Sequence, residues 1–171
     1  MSNVVVITGA ATGLGRATAL KLAKEQYKIV VVDFNEVEGQ NTVNMAIELG
    51  AEAIFVKADV SNEEEVKAYV EKAVETFGTI NYFLNNAGIM VPFRLLHEYD
   101  ANEYDRVMNI NVKGAFLGIK YVIPVMVENG GGTIINMSSA GAPLSLPFQA
   151  FYSATKSAVS SMTEALRTEL K

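Results

Sequence analysis

The sequence predicts an α/β protein built as a doubly wound parallel sheet. Two observations carry that expectation. Short runs of apolar, mostly β-branched residues alternate without a break with longer segments of helical periodicity. The short runs are also too continuously apolar to leave one face in water, which is how strands covered on both faces read.

Val4-Val5-Val6-Ile7 is the first such run. Thr8-Gly9-Ala10-Ala11-Thr12-Gly13-Leu14-Gly15 follows it directly, and a helical segment from Arg16 to about Lys24 comes next. A strand, a glycine-rich turn and a helix start together make an anion site, because glycine lets the backbone approach a phosphate and the first helical N–H groups are unpaired. The spacing is G-x-x-x-G-x-G rather than G-x-G-x-x-G, since Thr18 stands where the last glycine would fall. Lys28 to Val32 is the second strand and ends at Asp33. A carboxylate about twenty residues past a glycine loop is placed to accept hydrogen bonds from an adenosine ribose and to repel a 2′-phosphate. Phe34 stands where a cation would be needed to neutralise that phosphate.

A helix is expected from Glu36 to Leu49, stopped by Gly50, and a third strand from Ala53 to Lys57, ending in Asp59-Val60. Ser61 to Glu64 reads as a capping box with Ser61 as N-cap, and the acidic run Glu63 to Glu65 as first-turn charge rather than a metal site. Ile80 to Leu84 is the fourth strand, followed by Asn85-Asn86-Ala87-Gly88, small and amide residues that suit a ligand crevice at a strand end. His97 reads as a surface histidine. One long helical region runs from Asp100 to Glu128, with Asn111 midway, where asparagine needs a reason, and Pro124 as a possible kink. Thr133 to Met137 is the fifth strand, ending at Ser138-Ser139. A largely apolar loop from Ala140 to Phe151 precedes a final helix that starts near Tyr152 and is still in progress at Lys171.

The chain has 171 residues, half of them apolar and 19% charged, which suits a single cored domain over residues 1–171 and argues against disorder. A net charge of −5 gives no electrostatic footprint for nucleic acid. With no cysteine there are no disulfides or thiolate metal sites. No signal peptide is evident and no apolar run reads as long enough to span a membrane, so a soluble cytoplasmic protein is expected.

The chemistry centres on Tyr152-Ser153-Ala154-Thr155-Lys156. A tyrosine and a lysine four apart share a helix face. A cation about 4 Å from a phenol, at an effective dielectric of about 20, is worth on the order of 4 kcal/mol, or about three pK units. That would bring a phenol toward the neutral range in which a general acid/base works.

In this order the motifs Thr8-Gly9-x-x-x-Gly13-x-Gly15, Asn85-Asn86-Ala87-Gly88, Asn111, Ser139 and Tyr152-x-x-x-Lys156 resemble those of the short-chain dehydrogenases/reductases, over the whole stretch from Val4 to Lys171. The resemblance implies a Rossmann-like fold and NAD as cofactor. Gly9, Thr12, Gly13, Leu14 and Gly15 would wrap the pyrophosphate. Asp33, with Phe34 beside it, would hold the ribose. Asp59 and Val60 would contact the adenine, and Asn86, Ala87 and Gly88 would line the crevice. Tyr152 would be the acid/base, Ser139 would polarise the substrate oxygen, Lys156 would bind the nicotinamide ribose, and Asn111 would hold a water linking Lys156 to solvent. No metal is needed. The resemblance also implies further C-terminal elements beyond the helix carrying Tyr152 and Lys156, so the chain reads as truncated there.

The leading expectation is an NAD-dependent oxidoreductase of a small, mostly apolar secondary alcohol or ketone, the apolar segments Met90 to Leu96 and Ala140 to Phe151 suggesting the substrate. The alternatives are an NADPH-dependent 3-oxoacyl reductase, disfavoured by Asp33 and Phe34, and a non-catalytic dinucleotide-binding or scaffold protein. A homo-oligomer, dimer or tetramer, is expected through Phe116, Ile119, Val122 and Ile123 together with Ala158, Met162, Ala165 and Leu166.

Overall fold

Val4–Thr8 forms β1 and lies at the centre of a sheet whose register explains the apolar runs. The structure, a computed structural model, describes residues 3–170; the expected continuation of the last helix to Lys171 lies outside them. β1 is followed by α1 (Gly13–Lys24), β2 (Lys28–Asp33), α2 (Glu36–Glu48), β3 (Ala53–Lys57), α3 (Glu63–Phe77) and β4 (Tyr82–Asn85). Then come a short 3₁₀ turn at Leu96–Glu98, α4 (Ala101–Met108), a π-helical segment (Asn109–Lys113), α5 (Gly114–Glu128), β5 (Thr133–Asn136), the single turn α6 (Gly141–Leu144) and α7 (Ala150–Glu169). The five strands are parallel in the order β3-β2-β1-β4-β5. The order reverses between β1 and β4, and that reversal opens a crevice at the strands' C-terminal ends.

Alternate residues of one strand serve opposite layers. Val4, Val6, Val30 and Val32 pack with Tyr69 of α3 and with Leu117 and Val122 of α5. Val5, Ile7, Ile29 and Val31 pack with Ala19 and Val43 from α1 and α2. Gly118 lets α5 press onto the Phe83 ring, since a Cβ there would lie 2.6 Å from Phe83 Cζ.

Three expectations are corrected here. Asn62, not Ser61, caps α3, accepting from the N–H groups of Glu64 and Glu65, while the Ser61 hydroxyl donates to Asp59 at 2.7 Å. No reciprocal box forms, because Glu65 accepts from Asn62 Nδ2 and from the Asp59 N–H while the Asn62 N–H bonds Asp59 O. Secondly, the stretch Ala101–Glu128 is long and apolar enough to cross a membrane by length and composition, its most apolar 18-residue window having a mean hydropathy of 1.4. Its apolar residues have another use in this fold: Leu117, Val122 and Met126 complete the core under β1 and β4. Thirdly, Ile119 and Val122, expected at an oligomer interface, are buried within the chain, whereas Phe116 is exposed.

Candidate active site

The glycine-rich turn after β1 is held open from two sides. Thr8 is fully buried, and its Oγ1 accepts the N–H groups of Asn86 and Ala87, each at 3.0 Å, locking β1 to the turn after β4. Asn86 returns the contact by donating to the carbonyls of Thr8 and Gly9. Asp33 Oδ2 accepts the Ala11 N–H at 2.9 Å from the other side. Gly9 has φ +66° and lies so close to Ala87 that a Cβ would stand 2.9 Å from its Cα. Gly15 is under the turn rather than open to ligand: a Cβ there would overlap Gly9 O and lie 2.9 Å from Ala10 Cα.

These tied loops leave a cleft of about 460 Å³. It is lined by Gly9, Thr12, Asp33, Phe34, Asp59, Val60, Asn86, Ala87 and Gly88 of the expected residues. Gly13, Leu14 and Gly15 do not line it, and Leu14 points to solvent at 69% exposure. The cleft also takes in Arg106 and Ile110, which the sequence reading missed. Their spacing of four, ending at the residue before Asn111, was the signal that could have found them.

A dinucleotide fits this cleft on an observation of α1. Asn35, Asn62 and Asp100 cap α2, α3 and α4 with side-chain oxygens, but Thr12 makes no such bond to α1. The first-turn N–H groups of α1 therefore remain free for an anion. At the far end of the turn, Asp33 and the exposed Phe34 ring stand side by side.

Beyond Gly88 the chemistry-bearing side chains gather. A Cβ on Gly88 would lie 3.2 Å from both Asn111 Oδ1 and Lys156 Nζ, so the glycine keeps open the space in front of them. Lys156 is buried, and its Nζ donates to Met137 O at 2.9 Å. Burial pushes its ammonium below the usual lysine pKa, since desolvation disfavours the charged form. No hydrogen bond joins Lys156 to Tyr152 among the described residues; the ammonium bonds the carbonyl just past β5 instead.

Asn111 is buried and explains its place in mid-helix. Its amide accepts from Ile89 N at 2.8 Å and donates to Ile89 O at 3.0 Å and Thr155 Oγ1 at 3.2 Å. The side chain thus pairs with the backbone after β4 as a neighbouring strand would. The helix is π-wound at this point, and such bulges mark functional positions in helices.

Ser138 and Ser139 divide two tasks. Ser138 Oγ binds the Lys156 carbonyl and lies 2.7 Å from Ser160 Oγ, pinning α7 to the end of β5. Ser139 Oγ accepts the Gly141 N–H at 3.1 Å, which leaves its own proton to donate elsewhere. Tyr152 is partly buried in the first turn of α7. Ser139, Tyr152 and the buried Lys156 thus all follow β5 in the chain, on the loop and helix that leave its C-terminal end.

The fold defines an α/β dinucleotide-binding domain with a cleft at the C-terminal ends of its strands. The family described as short chain dehydrogenase matches residues 3–171, and the chain belongs to that family. It is 40% identical over 163 residues to levodione reductase of Leifsonia aquatica, covering 94% of this chain and 61% of that protein. It is 34% identical over 168 residues to cyclohexanol dehydrogenase of Acinetobacter sp. (strain SE19), covering 98% and 67%. The crystal structure of an NAD⁺-bound xylitol dehydrogenase superposes with a TM-score of 0.96 at 34% identity, over 98% of this chain and 65% of that one. The chain spans between 60% and 67% of the length of the curated relatives it matches.

Proposed function

We propose that the protein is an NAD-dependent oxidoreductase that interconverts a small, mostly apolar secondary alcohol and its ketone. The observation that carries this reading is the position of Gly88. It lines the cleft that suits the dinucleotide and stands 3.2 Å, at its Cβ position, from both Lys156 Nζ and Asn111 Oδ1. The cofactor cleft and the proton-handling groups therefore meet at one residue. Relatives named for levodione, cyclohexanol and xylitol support a secondary alcohol or ketone as substrate, and the NAD⁺-bound xylitol enzyme supports NAD.

Gly9 and Thr12 at the mouth of α1 would hold the pyrophosphate, with Gly13 and Leu14 contributing backbone N–H groups from the first turn and Gly15 shaping the turn from beneath. Asp33 would accept from the ribose, and Asp59 and Val60 would border the adenine. The nicotinamide, when bound, gives or takes the hydride. Tyr152 would take the alcohol proton at its phenol oxygen in oxidation and return it in reduction. Ser139, with Gly141 occupying one of its lone pairs, would donate to the substrate oxygen. Lys156 would stabilise the phenolate electrostatically and bind the ribose. Asn111 would order a water near Lys156, through the Oδ1 lone pair left free by Ile89 or through its backbone.

Asp33 beside an uncharged Phe34 favours NAD over NADP by at least about tenfold in kcat/KM, a difference of about 1.4 kcal/mol. A panel of secondary alcohols assayed with both cofactors by NADH or NADPH absorbance tests the reading. No turnover of any alcohol or ketone would defeat it, and equal efficiency with NADP would defeat the role of Asp33. We further propose a cytoplasmic homo-oligomer, dimer or tetramer, associating through the exposed side of α5 and α7, with Phe116 as the largest exposed apolar group among the expected interface residues. Sedimentation at micromolar concentration should show more than monomer, and only monomer would refute it.

A further inference from the structure

We infer that Tyr99 is a positioning residue that clasps together the two loops walling the substrate side of the site, and so sets which alcohols fit; this rests on the dehydrogenase reading above. The loop after β4 leaves the cleft at Gly88 and Ile89 and exposes Met90 and Phe93. The segment after β5 passes Ser139 and leads into α7 two residues before Tyr152, exposing Leu144 and Phe148 on the way. Both loops are thus joined by the chain itself to the proposed site residues, and both expose apolar side chains.

One phenol oxygen joins them. Tyr99 Oη lies 2.6 Å from Pro92 O and 2.9 Å from Phe148 O, and it accepts the Arg94 N–H at 3.1 Å. Arg94 N also donates to Phe148 O at 3.2 Å. A phenol has a single proton, so it and the Arg94 N–H between them serve both carbonyls. The clasp fixes a strained point of the second loop, because Phe148, whose carbonyl it holds, has φ +62°. Positive φ is unfavourable for a bulky L-residue and persists where surrounding contacts fix it. The carbonyl of Phe148 is the group that Tyr99 and Arg94 hold.

The ring of Tyr99 is itself anchored. It meets the buried Phe151 edge-on at 4.5 Å, and the Arg94 guanidinium stands 5.5 Å from its centroid while also bonding Glu103 at 2.7 Å. Phe151 immediately precedes Tyr152. Tyr99 therefore touches the base of the acid/base helix with its ring and the substrate loops with its hydroxyl, without reaching any reacting atom.

Tyr99→Phe keeps the ring contacts and removes the hydroxyl's bonds to Pro92, Phe148 and Arg94, leaving the Arg94 N–H as the sole tie to Phe148 O. In the full chain we expect KM for a bulky cyclic alcohol to rise about tenfold relative to KM for a small one, with kcat and the NADH Kd within about twofold of wild type. In hydrogen exchange, the Arg94 amide and the segment 145–149 should exchange faster, while the glycine-rich turn is unchanged. A KM ratio that does not move, or an NADH Kd that rises in parallel, would overturn the positioning role. Unchanged exchange at Arg94 would overturn the clasp. If wild type itself turns over no alcohol, the dehydrogenase reading fails and the substrate-wall role with it, while the exchange result still decides whether Tyr99 holds the loops.

Discussion

The carboxylate of Asp33 accepts the backbone N–H of Ala11 at 2.9 Å, which ties the end of β2 to the glycine-rich turn after β1. Its other oxygen accepts the N–H of Asn35 at 3.0 Å. The residue assigned from its spacing to a ribose is therefore also a structural strut. Asp33→Asn offers a single acceptor oxygen to two backbone donors. We expect the cofactor-free protein to lose about 1–3 kcal/mol by urea denaturation, and the preference for NAD over NADP to shrink as the carboxylate charge is lost. A variant with unchanged stability would show that the strut carries no weight.

The glycines of the turn should differ sharply. A Cβ on Gly15 would collide with Gly9 O and Ala10, whereas one on Gly13 meets nothing within 4 Å and is opposed only by φ +55°. Gly13→Ala should cost about 1–2 kcal/mol, the penalty of the left-handed conformation. Gly15→Ala should cost more, at or above the roughly 1–3 kcal/mol of overpacking, and weaken NADH binding because the whole turn must shift. Thermal melts and NADH titrations of the two variants would reveal the order, and the reverse order would contradict this packing.

Tyr152→Phe should lower kcat by about 10² to 10⁴ while leaving NADH affinity within a few-fold, since it deletes a proton-transfer group and one contact. Lys156→Ala should damage both turnover and binding. It also removes the Met137 contact that seats α7 on the end of β5. Near-normal turnover by Tyr152→Phe would refute the assignment of the acid/base.

Tyr69 gives a pH prediction independent of activity. Its phenol is buried beside α5, and burial raises its pKa. The neutral form is the one the fold accommodates, so the contribution is intact below the unfolded pKa of about 10 and is lost as pH rises beyond it, at about 1.4 kcal/mol per pH unit. Lys156 has the opposite sign. Its depressed pKa penalises the fold while charged, and the penalty fades as pH climbs toward the ordinary 10.5. Denaturant melts between pH 9 and about 11 should show a steeper alkaline loss in wild type than in Tyr69→Phe. Equal slopes would mean that Tyr69 ionises as readily folded as unfolded.

The order of elements was legible in the chain because backbone periodicity is local. Val4 to Ile7 reads as a strand buried on both faces from its composition alone, and Tyr152 and Lys156 share a helix face whatever surrounds them. Asp33 and the glycines are likewise separated by a spacing that one β-α-β unit fixes. Partners far apart in sequence were a different matter. That Lys156 reaches Met137, that Asn111 pairs with Ile89 from a π-wound turn, and that Tyr99 joins Pro92 to Phe148 depend on which strand lies beside which. The same holds for Ile119 and Val122, whose apolar stripe could have served an interface, a membrane or a core. Only the packing of α5 on the sheet selected the core. A side chain's type limits the bonds it can make, but the atom that receives each bond is decided by strand register and helix rotation, and these are set cooperatively by the burial of the whole chain.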